Sequence, residues 1–124
     1  MIGYATVGTN DFPRASRFYD RLLGELGAKR IMDTERFIVW SASFERPGLS
    51  LVKPHDGKPA TVGNGNMIAF VVKEPAQVDR LHALAIELGG SDEGAPGPRG
   101  GGFYAGYFRD LDGNKLNFFC MGAA

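Results

Sequence analysis

Two histidines and one cysteine are the only imidazole and thiol groups in the 124-residue chain. His55 stands in the polar stretch PHDGKPATVGNG and His82 borders the apolar stripe of a helical segment, so surface or boundary roles suit both. Cys120, being alone, can form neither an internal disulfide nor a cysteine-cluster metal site, and reads as a small buried hydrophobe. Asp110, Asp112 and Asn114 alternate as in a calcium loop. However, Gly113 is misplaced for an EF-hand and no coordinating Glu follows, so the Asp-Gly pair marks a hairpin turn. GAPGPRGGG, residues 94 to 102, has the glycines of a phosphate loop, but no Lys-Ser/Thr follows and the next residues form a strand. It reads instead as a mobile flap, with Arg99 as a contact for a ligand carboxylate or other anion. Tyr4 and Tyr104 are the remaining candidates for proton donation, with no identifiable partner acid or base.

Bulk properties narrow the classes further. Lys plus Arg and Asp plus Glu stand at 14 each, so no net field draws the chain onto nucleic acid or an anionic membrane. A hydrophobic fraction of 44% and a charged fraction of 23% are those of an ordinary folded domain, and the length suits a single one. The opening MIGYATVGTND has no basic segment and no apolar run of signal-peptide length, and nothing later approaches a membrane span. The expectation is a cytoplasmic protein that binds neither nucleic acid nor membrane.

The elements that must position these residues occur twice. MIGYATVG alternates as a strand, and Asn10 or Asp11 followed by Pro13 starts a helix whose apolar face is Ala15, Phe18, Tyr19, Leu22, Leu23 and Leu26, closed by Gly27. KRIMDT, RFIVWSAS and GLSLVKP are then short strands. In the second half NMIAFVVK is a strand and Pro75 opens a helix with Val78, Leu81, Ala85 and Leu88 on one face, closed by Gly89 and Gly90. A short strand near Ser91 to Ala95 precedes the hairpin FYAGYFRD and NKLNFFCM. Asp20-Arg21-Leu22 is echoed by Asp79-Arg80-Leu81, and Glu25-Leu26-Gly27 by Glu87-Leu88-Gly89, at an offset of about 60 residues. The predicted fold is α+β. Two tandem βαβββ modules, about 1–54 and 66–124, are joined by a loop at 55–65 within one domain. Their curved mixed sheet forms a half-barrel around a central cleft, with the helices outside.

Strand alternation sorts the side chains. Leu116, Phe118 and Cys120 go to the helix-packed core, leaving Lys115, Asn117 and Phe119 for the cleft. Ile68, Phe70 and Val72 go to the core, leaving Met67, Ala69 and Val71; Ala5 and Val7 face the helix, leaving Ile2, Tyr4 and Thr6. Trp40, Phe103, Tyr104, Tyr107 and Phe119 lie on strands expected to wall the cavity or its rim, which suits an aromatic or amphipathic small molecule.

The duplicated plan, the DGKPATVGNGNMIAF stretch, the EGAPGPR loop and the YAGYFRDLDGNKL hairpin together resemble the vicinal oxygen chelate superfamily. That superfamily includes glyoxalase I, bleomycin-resistance proteins, extradiol dioxygenases and fosfomycin-resistance enzymes. The resemblance implies a divalent cation held by a His near the end of the first strand, a His or Gln opening the fifth and a Glu in the last. Carried onto this chain, those positions are Tyr4, Met67 and Asn117. A phenol that binds only when ionised, a soft thioether and an uncharged amide do not suit such a cation, and a dimer cannot restore the site because every copy carries the same residues. The expectation is therefore a cofactor-free, metal-independent small-molecule binder of the sequestration or resistance type, forming a homodimer. A lyase or dioxygenase with relocated metal ligands or tyrosine acid/base chemistry is the first alternative. An interaction module is the second.

Overall fold

Residues 1–122 are described in the computed structural model. Ten elements follow the order strand, helix, three strands, and then the same again. They are β1 (Tyr4–Gly8), α1 (Phe12–Gly24), β2 (Lys29–Asp33), β3 (Phe37–Ser41), β4 (Gly48–Val52), β5 (Ile68–Val71), α2 (Pro75–Glu87), β6 (Ser91–Pro98), β7 (Phe103–Arg109) and β8 (Lys115–Met121). The chain divides into two compact units between Gly63 and Asn64. Residues 55–63 of the connecting stretch stay with the first unit, where Asn10 Nδ2 donates to the Ala60 carbonyl and Asn10 Oδ1 accepts from its amide.

In the first unit, Asp11 caps α1 by accepting from the Arg14 amide, and Pro13 lies in the first turn, where its missing N–H costs nothing. Ala15, Phe18, Tyr19, Leu22 and Leu23 then fall on one buried face at the helical spacing. The chain leaves the helix at Gly27 with φ +76°, the left-handed conformation expected there. The sheet runs β1-β4-β3-β2, with β1 parallel to β4 and the other pairs antiparallel. Ala5, Val7, Ile38, Leu49 and Leu51 share the helix-facing side by register. Trp40 shares it too, which corrects the expectation that it walls a cavity. Its ring lies 5.6 Å from that of Tyr19, its Nε1 donates to Asp20 of α1, and it is 1% exposed. In FIVWS, residues 38 to 41 are all buried, so both faces of β3 are covered and alternation alone could not choose a side for the indole.

The second unit repeats the scheme with the order β5-β8-β7-β6, β5 being parallel to β8. Glu74 and Gln77 form a reciprocal capping box at the start of α2, and Val78, Leu81, His82 and Ala85 are buried against the sheet. Phe70, Phe118 and Phe108 stack in sequence across three strands on the helix side, Phe118 lying 5.3 Å from Phe70 and 5.5 Å from Phe108. His82 fastens this packing: its Nε2 lies 3.1 Å from Asp92 Oδ1 and 3.0 Å from the Tyr107 carbonyl. Cys120 is buried as expected. The Asp110 side chain accepts from the Asp112 and Asn114 amides and from Asn114 Nδ2, confirming a turn held by its own polar groups.

One expectation about this unit fails. Most of the GAPGPR stretch is not a flap, because β6 runs to Pro98 and pairs with β7 as far as Pro98↔Tyr104. Glycine and proline read as loop from propensity, but β6 is an edge strand with two register shifts, where both are tolerated.

Candidate functional site

Asn117 is the centre of the side of the second sheet turned away from α2. Its strand neighbours are Ala69 on β5 and Tyr107 on β7, and alternation places Phe103, Ala105, Tyr107, Lys115 and Phe119 on the same side. Although it belongs to the side without a helix, Asn117 is 1% exposed, and its Oδ1 has no hydrogen-bond partner. An acceptor in that state costs about 1–3 kcal/mol unless something donates to it.

Around this atom the structure gathers several of the predicted residues. The Phe103 and Phe119 rings stack with centroids 5.2 Å apart, and both are half-buried. Tyr107 lies across from Asn117 in register, with the Arg99 guanidinium carbon 5.5 Å and the Lys115 ammonium 5.6 Å from its ring centroid. Met67, just before β5, is 42% exposed and two residues from Ala69. Strand alternation places Lys115 on this side but by itself gives it no role. The signal that could have found it is the hairpin register, which the Asp-Gly turn sets and which pairs Tyr107 with Asn117 and Arg109 with Lys115.

Tyr104 does not belong to this group. It pairs with Cys120 on the helix side, and its Oη donates to Asp79 of α2 at 2.6 Å, so the site loses one of its two proton-donor candidates. Adjacent strand residues point to opposite sides, and Phe103 and Tyr104 cannot both wall one surface. The bond to Asp79 raises the Tyr104 pKa above its ordinary value, because an ionised phenol would face the carboxylate. Tyr4, in the first unit, is 60% exposed on β1, on the side of its sheet shared with Thr6 and Ser50.

The first unit also has an open depression of about 540 Å³, lined by Arg36, Phe37, Val52, Lys53 and His55 among others. None of the predicted site residues lines it.

The three residues onto which the family resemblance carries the cation ligands are chemically poor donors for a divalent metal. Asn117 brings no charge, Met67 offers a thioether, Tyr4 offers a phenol, and among the described residues no group of three or more His, Cys, Asp or Glu side chains could hold an ion. What the arrangement can do is present one buried acceptor beside a stacked aromatic pair, with two cations around a tyrosine.

Comparison with known proteins agrees with the fold. A family model described as the glyoxalase/bleomycin resistance protein/dioxygenase superfamily matches residues 1–118. A crystal structure of a glyoxalase/bleomycin resistance protein from Albidiferax ferrireducens T118 is 34% identical, covers 98% of this chain and 99% of its own, and superposes with a TM-score of 0.89. A glyoxalase/bleomycin resistance protein/dioxygenase family enzyme from Burkholderia phytofirmans PsJN is 19% identical, with coverage of 97% and 98% and a TM-score of 0.80. A lactoylglutathione lyase from Agrobacterium tumefaciens is 18% identical, with coverage of 97% and 92% and a TM-score of 0.72. These last two likenesses concern the fold alone. None of the curated proteins matches the chain. With a family match over nearly its whole length, a full-length relative above 30% identity and the duplicated βαβββ plan, the chain belongs to the glyoxalase/bleomycin resistance protein/dioxygenase superfamily.

Proposed function

We propose that this protein is a metal-independent small-molecule binding protein that acts by sequestration, as a resistance-type member of its superfamily. The observation that carries the reading is Asn117, a neutral amide at the position of the last-strand carboxylate, with Oδ1 buried and unpartnered. Such an oxygen is a poor cation ligand but a ready acceptor for an N–H or O–H group of a ligand, which would recover the desolvation cost. The stacked Phe103 and Phe119 beside it supply flat apolar surface, so the ligand class is aromatic or amphipathic.

We place the protein in the cytoplasm as a homodimer. The edge strands β1 and β5 carry the exposed apolar residues Tyr4 and Val71, and an exposed strand edge is stabilised by cover. Light scattering of the purified protein is expected to give twice the chain mass, and a monomer at micromolar concentration would remove this part of the reading.

Calorimetric titration against a panel of aromatic and amphipathic compounds tests the function. Binding is expected to be unchanged by a chelator, and Asn117→Leu is expected to weaken it by about tenfold. Turnover of hemithioacetals or catechols, or a stoichiometric divalent ion required for binding, would replace sequestration with enzyme chemistry.

A further inference from the structure

We propose that Arg99 and Lys115, placed around Tyr107, form an oxyanion-recognition station, so that the ligand of this protein carries a carboxylate or phosphate beside its apolar body. This rests on the small-molecule reading above and specifies the ligand's charge. Arg99 is held in place rather than trailing from a loop. Its Nη1 donates to the Gly97 carbonyl at 2.9 Å and its Nη2 to the Ala95 carbonyl at 2.7 Å, folding the side chain back along its own strand. Glycines make room for this path. A Cβ at Gly97 would lie 3.2 Å from Arg99 Nη1, and one at Gly94 would lie 3.2 Å from Tyr107 Cδ1 and 3.5 Å from Arg99 Nη2. The chain then reverses through Gly100, Gly101 and Gly102, all at positive φ, and the Arg99 amide bonds the Phe103 carbonyl at 2.7 Å. The guanidinium is thereby fixed beside Tyr107, on the same side of the sheet as Asn117 and Phe119.

Lys115 reaches the same ring from β8, two residues before Asn117. Among the described residues neither of the two cations forms an ion pair, whereas Arg30 and Arg109 each have a carboxylate partner. An anionic group on the ligand supplies the missing counter-charge. Arg99 keeps its Nε–H and its remaining terminal N–H groups for it, and Lys115 contributes a rotatable ammonium.

Three probes that share one ring system decide the matter: naphthoate, naphthyl phosphate and neutral naphthalenemethanol, titrated into the wild-type chain and the Arg99→Gln/Lys115→Met double variant. One or both anions are expected to bind about tenfold more tightly than the alcohol, and the double variant is expected to lose that preference while retaining the alcohol. The stronger anion identifies the preferred oxyanion. Gly97→Ala, which displaces the guanidinium without removing its charge, is expected to lose part of the preference, keeping the test open should the double variant fold poorly. Equal binding of all three probes by the wild type, or a preference that survives in the double variant, would overturn the station and leave the small-molecule reading standing. Failure of every probe to bind would overturn both.

Discussion

Asn117 and Tyr104 carry opposite lessons about single side chains. Asn117 Oδ1 is buried without a hydrogen-bond partner, so a non-polar residue of similar volume is better tolerated by the fold than the native one. Asn117→Leu is expected to raise stability by about 1 kcal/mol in urea denaturation while weakening ligand binding, a split that a merely structural residue would not produce. Tyr104 has its partner. The phenol donates to Asp79, and ionisation would set two negative groups together, which raises its pKa. Removing the carboxylate with Asp79→Asn is expected to move the Tyr104 titration, followed by carbon NMR of its ring, back down toward the ordinary tyrosine range.

At the level of elements, Asp20 ties α1 to two strands at once. It accepts from Arg30 Nε and Nη2 on β2 and from Trp40 Nε1 on β3. The Arg30 hydrogen bonds, and to a lesser extent the indole, lower the Asp20 pKa against the opposing effect of burial. A carboxylate whose pKa is lowered by folding stabilises the native state above its unfolded pKa, and that contribution is lost as pH falls through the folded value. The stability difference between wild type and Asp20→Asn is therefore expected to shrink as pH drops below about 4, measured by urea midpoints across the acid range. Asp20 is 41% exposed at its side chain, so the electrostatic part amounts to about 1 kcal/mol at most. The same strands show where alternation ceases to inform. β8 sorts cleanly because its helix side is a continuous apolar row, whereas β3 is buried on both sides and β6 is built largely from residues with low strand propensity.

Across the whole molecule, the duplication predicts paired behaviour. Leu22 on α1 and Leu81 on α2 occupy matched positions in the repeated Asp-Arg-Leu motif, and both are 0% exposed. Leu22→Ala and Leu81→Ala are each expected to cost about 2–5 kcal/mol, measured by chemical denaturation. An effect confined to one of them would mean that only one unit uses its helix as a core element. No described helix is long and apolar enough to cross a membrane.

The amino-acid sequence by itself determined the element order, the faces of both helices and the hairpin at Asp112-Gly113. These follow from periodicity and turn chemistry, which are local properties. Tertiary structure alone decided that Trp40 belongs to a core, that Tyr104 faces α2, that Arg99 is folded back onto its own strand, and that Asn117 Oδ1 is buried without a donor. Each of these depends on what covers a strand from above and on which register its neighbour adopts, and residues distant in sequence supply both.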